Sequence, residues 1–198
     1  MKRESTEIRQ EQIKKAVLEI LSTEGLQRLS TRNLAGKVGI SEGALFRHFK
    51  SKRDILLAIM QDVHRDLLGN LRKISLSHLP AEERLFKFLC THVKYLIENK
   101  GITILLFSEA AHMNDAELKQ HLFKILTEMR QYISKIIQDG IVEGDWDSRL
   151  KVENVAMLYL GIPITLNIEM VLDPAGVHED DFCKKMMCLL KRVLQKRL

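Results

Sequence analysis

The chain has 198 residues, 45% hydrophobic and 29% charged, with a formal net charge of +5. That length can bury a core without metals or disulfides, and three prolines and ten glycines are too few for a turn-rich β-sandwich. All the excess positive charge lies in residues 1–53, where 12 Lys and Arg face 6 Asp and Glu, against 19 and 20 in the remainder. Such a segment is either a phosphate-attracting patch, working by counterion release, or merely a solvated basic surface.

Cys90, Cys183 and Cys188 are odd in number and form no Cys-x-x-Cys pair, which argues against a disulfide framework or structural zinc. Cys183 and Cys188, five residues apart, fall on different sides of a helix, which discounts a dithiol sensor. The opening Met1-Lys2-Arg3-Glu4-Ser5 lacks a signal peptide's apolar run. The most apolar stretch, Val155 to Leu172, contains Pro163, Asn167 and Glu169, making it a poor membrane span and a better buried helix. A cytoplasmic protein without membrane contact is expected.

Helical spacing starts at once. Ile13, Ala16, Val17, Ile20 and Leu21 share a face between Glu7 and Thr23, and Gly25 supplies the stop. Ser30 or Thr31 can cap a short second helix burying Leu34, Ala35 and Val38, which Gly39 ends in a left-handed conformation. Ser41 can cap a third, carrying Leu45 and Phe49. Ser51, with Asp54 three residues on, marks a fourth from about Lys52 to Leu71. Further helices are expected from Pro80 to Lys100-Gly101 and from about Ile102 to His112. A long one follows, capped by Asn114 with Glu117, and Gly140 and Gly144 break the chain before another from about Lys151 to Leu172. The last starts acidic at Glu179, Asp180 and Asp181 and ends basic at Lys191, Arg192, Lys196 and Arg197, as the helix dipole favours. No segment alternates as a strand. The expected fold is all-α, with about nine helices.

Two short helices, roughly Thr31–Val38 and Ser41–His48, joined by a tight turn have the dimensions of a helix-turn-helix, whose second helix enters the major groove. Thr31, Arg32, Ser41, Arg47, His48 and Lys52 can donate hydrogen bonds to phosphates, and Arg47 could also reach a guanine edge. Arg32 and Arg47 are equally readable as solvated, and His48 as a half-buried capping residue.

The run Leu34-Ala35, Val38-Gly39-Ile40-Ser41-Glu42-Gly43-Ala44-Leu45-Phe46-Arg47-His48-Phe49-Lys50-Ser51-Lys52, with Ala16, Gly25, Ser30 and Thr31 before it, resembles the N-terminal signature of the TetR (tetracycline-repressor-like) family. The dense match spans about Ile13 to Leu57; beyond about residue 75 only the all-helical layout is similar. The resemblance implies that Thr31 and His48 bind phosphate, that Ser41, Glu42, Gly43 and Ala44 begin the base-reading helix, and that Lys52 starts the fourth helix beside the phosphates. Phe46 stands where the family usually has tyrosine, so a phosphate hydrogen bond there is lost or replaced by packing on the sugar. Glu42 either accepts from a cytosine amino group or simply favours the helix N-terminus.

The resemblance divides the chain into a reader, residues 1–51, and a helical region, residues 52–198, that binds a small-molecule effector and forms a homodimer through its last two helices. Val152 to Leu172 is apolar nearly all round and must bury two faces, either wholly within one subunit or against a second copy, with Phe182, Met186, Leu189, Leu190 and Val193 completing the seam in the second case. A ligand wedging these helices would change the spacing of two recognition helices on palindromic operator DNA, with the fourth helix as lever. Leu105, Phe107, Met113, Phe123, Met129, Tyr159, Ile162 and Leu166 are the candidate pocket residues, unless they are ordinary core. They suit an apolar or aromatic effector.

No phosphate loop, nucleophile elbow or His-Glu-x-x-His is present, so no enzyme, catalytic residue, metal site or cofactor is expected. The rival reading is a DNA-binding protein of the same fold that takes no small effector and answers to a protein partner.

Overall fold

The computed structural model describes residues 5–99, 102–112, 114–173 and 179–195, and within these the regular structure is helical throughout. The helices are α1 (Thr6–Glu24), α2 (Thr31–Val38), α3 (Glu42–His48), α4 (Lys52–Ser75), α5 (Ala81–Glu98), α6 (Ile102–His112), α7 (Ala116–Val142), α8 (Val152–Leu172) and α9 (Glu179–Leu194). A 3₁₀ turn, Leu26–Arg28, links α1 to α2. Within α4, a π-helical turn over Val63–Leu68 joins two α-helical parts, Lys52–Asp62 and Gly69–Ser75.

The first three helices pack on one another, and α4 runs from α1 to α5 and α7. Central α5 contacts the end of α4, α7, α8 and α9, while α6 lies on α7 and α8. Phe88, Leu89, Val93 and Leu96 of α5 are fully buried, and the Phe88 ring meets Tyr159 of α8 edge-on at 5.5 Å.

Arg84, on the same helix, is only 4% exposed. It donates to the carbonyls of Leu79 at 2.9 Å and Ser75 at 3.0 Å, and to Asp139 at 2.7 Å. One side chain thereby joins the end of α4, the start of α5 and α7. Burial alone would raise the Asp139 carboxyl, but hydrogen bonds from Arg84 and Lys135 hold it below the usual carboxylate range.

Three sequence expectations change. The α7 cap is Asp115, whose carboxylate accepts from the Leu118 amide at 2.9 Å; Asn114 instead sits left-handed at φ 50°. Gly140 does not break the helix: it lies inside α7, where a Cβ would stand 2.4 Å from the Trp146 ring. Gly144, at φ 83°, makes the turn. Leu190 faces inward, buried, whereas Leu189 and Val193 are exposed. Lys196 and Arg197 lie outside the described residues.

Candidate nucleic-acid interface

Local hydrogen bonds set the reader's shape. Ser30 caps α2 by accepting from the Asn33 amide at 3.1 Å, and Ser41 caps α3 by accepting from Ala44 at 3.2 Å. Between them Gly39 turns left-handed at φ 72°, and the Ile40 amide returns to the Ala35 carbonyl at 2.9 Å. Leu34, Ala35, Leu45 and Phe49 are buried with Ile13, Val17 and Ile20 of α1. Gln10 of α1 donates to the His48 carbonyl at 3.0 Å, tying down the far end of α3.

With Leu45 and Phe49 pinned inward, helical periodicity turns Glu42, Gly43, Phe46 and Arg47 outward, and all four are exposed. Ser41 and Arg32 are exposed beside them, and Ala44 is half-buried. Among the described residues Arg32, Arg47 and Lys50 have no ion-pair partner. The Thr31–Glu42 contact brings the starts of α2 and α3 together, while Phe46 and Arg47 are exposed in the last turn of α3.

Two candidates sit differently. The Nδ1 of half-buried His48 is enclosed without a partner, so only Nε2 of that ring is available to a phosphate. Lys52 turns toward the second half of the chain, its Nζ 2.8 Å from Oε2 of Glu109 on α6. That carboxylate oxygen is buried and lies off the hydrogen-bond direction, so the contact is one of opposite charges. Next to it, Arg53 donates to Asp115 at 2.6 Å and pairs with Glu117, both at the start of α7. This guanidinium, with the Leu118 amide, holds the Asp115 carboxyl below the usual range. Two consecutive cations at the start of α4 therefore answer to acids on α6 and α7. Nothing local in the sequence marks these pairs, since the partners stand more than fifty residues away.

A second link missed by sequence reasoning joins α2 to α3. The Thr31 hydroxyl donates to Oε2 of Glu42 at 2.9 Å.

The proposed pocket residues do not gather into one set. Met129, Tyr159 and Leu166 are buried and Ile162 is half-buried. Phe107 and Phe123, by contrast, are 70% and 66% exposed, on the surface of the chain. Met113 and the side chain of Leu105 lie outside the described residues. Neither the water-sized cavity of about 10 Å³ between α1, α2 and α4 nor the open groove of about 400 Å³ beside Arg130 and Glu153 is lined by any of the eight. Buried polar groups occur nearby. Burial pushes the His92 imidazole down to about 4; its Nδ1 is 3.4 Å from the Tyr159 hydroxyl. Asn167 donates to the Pro163 carbonyl at 2.8 Å while its own Oδ1 is buried without a partner.

Two family models match the chain: bacterial regulatory proteins of the tetR family over residues 13–59, and the tetracyclin repressor-like C-terminal domain over residues 78–166. The chain belongs to the TetR family. Its fold recurs in the ketosteroid transcriptional regulator KstR2 of Mycobacterium tuberculosis, at TM-score 0.80 and 18% identity, covering 96% of each chain. The transcriptional regulator FadR of Bacillus subtilis, solved in complex with stearoyl-CoA, matches at TM-score 0.73 and 20% identity, over 91% of this chain and 96% of that one. In sequence, the nucleoid occlusion factor SlmA of Actinobacillus pleuropneumoniae serotype 5b is 29% identical over 139 residues, which is 70% of this chain and 69% of that protein. KstR2 and FadR are both transcriptional regulators. Among the described residues no helix is long and apolar enough to cross a membrane.

Proposed function

We propose that this TetR-family chain is an effector-responsive repressor that binds palindromic operator DNA as a homodimer. The reader is residues 1–51, and residues 52–198 take the effector and form the dimer. The supporting observation is the exposed face of α3, where Glu42, Gly43, Phe46 and Arg47 are open while Leu45 and Phe49 are buried in the mini-core behind them. On this reading Thr31, Arg32, Arg47 and His48 hold the backbone and Phe46 packs on the sugar, while Ser41, Glu42, Gly43 and Ala44 meet base edges.

Support for the dimer comes from the outer side of α8. Met157, Ile164, Ile168 and Leu172 recur there at helical spacing and are exposed, as is Gly161 between them, where two helices can approach closely. Leu189 and Val193 of α9 extend the apolar surface. A second copy related by a two-fold axis would bury both sets.

An apolar effector among Met129, Tyr159, Ile162 and Leu166 would press on α6 and α7, to which Lys52 and Arg53 tie the base of α4. That route leads from the effector region to the spacing of the α3 helices. The stearoyl-CoA complex of FadR favours this reading. The likeness to a nucleoid occlusion factor, with Phe107 and Phe123 open on the surface, favours the alternative of control by a protein partner.

The test is fluorescence anisotropy with palindromic duplexes from the gene's upstream region, at two salt concentrations. Tight binding with a steep salt slope, weakened by Arg47→Ala with His48→Ala, is expected. Salt-insensitive or absent binding by a folded dimer would overturn the reading.

A further inference from the structure

The bond from Thr31 to Glu42 bears on how sequence is read. A carboxylate at the start of a recognition helix faces a polyanion, so it weakens binding unless a donor on the DNA receives it. The cap of α3 is Ser41, through the Ala44 amide, and a first-turn carboxylate favours the helix dipole with no hydrogen bond of its own. The Glu42 carboxylate takes the Thr31 hydroxyl through Oε2. That bond bridges the starts of α2 and α3 and fixes a flexible side chain at the helix end that enters the major groove. Oε1 of Glu42 is then left for a donor outside the protein. Within the groove the fitting donor is the cytosine N4 amino group, since adenine places the acceptor N7 beside its amino group, where a carboxylate is repelled.

We infer that Glu42 is a specificity-determining residue that reads cytosine in each half-site, with Thr31 as its positioning residue. The inference rests on the proposed DNA-binding function. A Thr31 hydroxyl committed to Glu42 has no proton left for a phosphate, so any phosphate contact by Thr31 comes from its main-chain amide at the first turn of α2. Phe46, exposed one turn after Glu42, lies on the same face and can follow it along the groove.

The experiment is selection of bound duplexes from a library of randomised palindromes by the full-length protein and by Glu42→Gln, Glu42→Ala, Thr31→Val and Thr31→Ser variants. Titrations of the selected duplexes follow at fixed salt. Wild type should prefer cytosine at one position of each half-site by roughly ten-fold over other bases. Glu42→Ala should erase that preference alone. Glu42→Gln should move it toward adenine, whose N6 and N7 suit an amide. Thr31→Val should weaken the preference several-fold, and Thr31→Ser should keep it. If Glu42→Gln instead tightens binding to all duplexes by one common factor with the selected sequence unchanged, the carboxylate acts only as a charge and the inference falls. If wild type selects no duplex at all, the DNA-binding reading itself fails.

Discussion

Lys52 and Glu109 give the most direct test of how the two halves of the chain are joined. The Glu109 side chain is 5% exposed and that of Lys52 is 32% exposed, so the pair is lopsided. Replacing Lys52 by alanine strands a buried carboxylate. The cost should be about 2–3 kcal/mol, below the roughly 3–5 kcal/mol for breaking a fully enclosed pair because water already reaches the lysine. Glu109→Gln instead releases an ammonium toward solvent and should cost less than about 1 kcal/mol. The double variant should resemble Glu109→Gln alone, giving a coupling energy of about 2–3 kcal/mol, the whole cost of Lys52→Ala. Urea denaturation at one protein concentration measures all four proteins, and Lys52→Ala should lower Tm by about 5–10 °C. DNA titrations add a second readout. Glu109→Gln frees Lys52 for the phosphates, so operator affinity should rise a few-fold and the salt slope steepen by about one. Equal, additive losses from the two single variants, with an unchanged salt slope, would refute both the pairing and the competition for Lys52.

Three further outcomes are expected. Gly140→Ala places a Cβ 2.4 Å from the Trp146 ring and should cost about 1–3 kcal/mol in thermal denaturation, partly recovered by Trp146→Leu. Arg84→Met removes the charge that joins α4, α5 and α7 and leaves the carbonyls of Ser75 and Leu79 without their donor; a loss of about 3 kcal/mol in urea is expected. For His92 the native pKa of about 4 lies below its ordinary 6.5, so the unfolded chain takes up a proton first as pH falls. Stability is complete above about pH 6.5 and should decline by on the order of 3 kcal/mol toward pH 4. His92→Gln should remove that slope, and an unchanged pH profile would show the imidazole to be hydrated.

What the sequence displayed follows from the range of the interactions. Caps at Ser30, Ser41 and Ser51 were legible because a side chain meets an amide three residues on, and the reader's core because Leu34, Leu45 and Phe49 repeat at helical spacing. Asn114 and Asp115 could not be separated, since both can cap and only the backbone decides which turns left-handed. Gly140 read as a breaker because its reason, the Trp146 ring, arrives after a turn. Phe107 and Phe123 read as interior because an aromatic residue on a mostly apolar helix carries no sign of which face is covered. The ion pairs at the base of α4, and the Thr31–Glu42 bond, join residues whose closeness the fold alone creates.

The wide turn at Val63–Leu68 has a consequence for the geometry of α4 as a whole. An ordinary α-helix advances about 100° per residue, so one residue more or less rotates everything beyond it by that angle. Ahead of the turn, Ile55, Leu56 and Ile59 serve the core beside α1; behind it, Leu71 and Ser75 are buried, with the Ser75 carbonyl held by Arg84. The π turn takes up one residue between these two stretches and so sets their phase, letting each present its apolar side to a different core. Deleting a single residue within it should restore a regular α-helix with the far end still in phase, whereas forcing all six residues into ordinary α geometry would turn that end by about 100°.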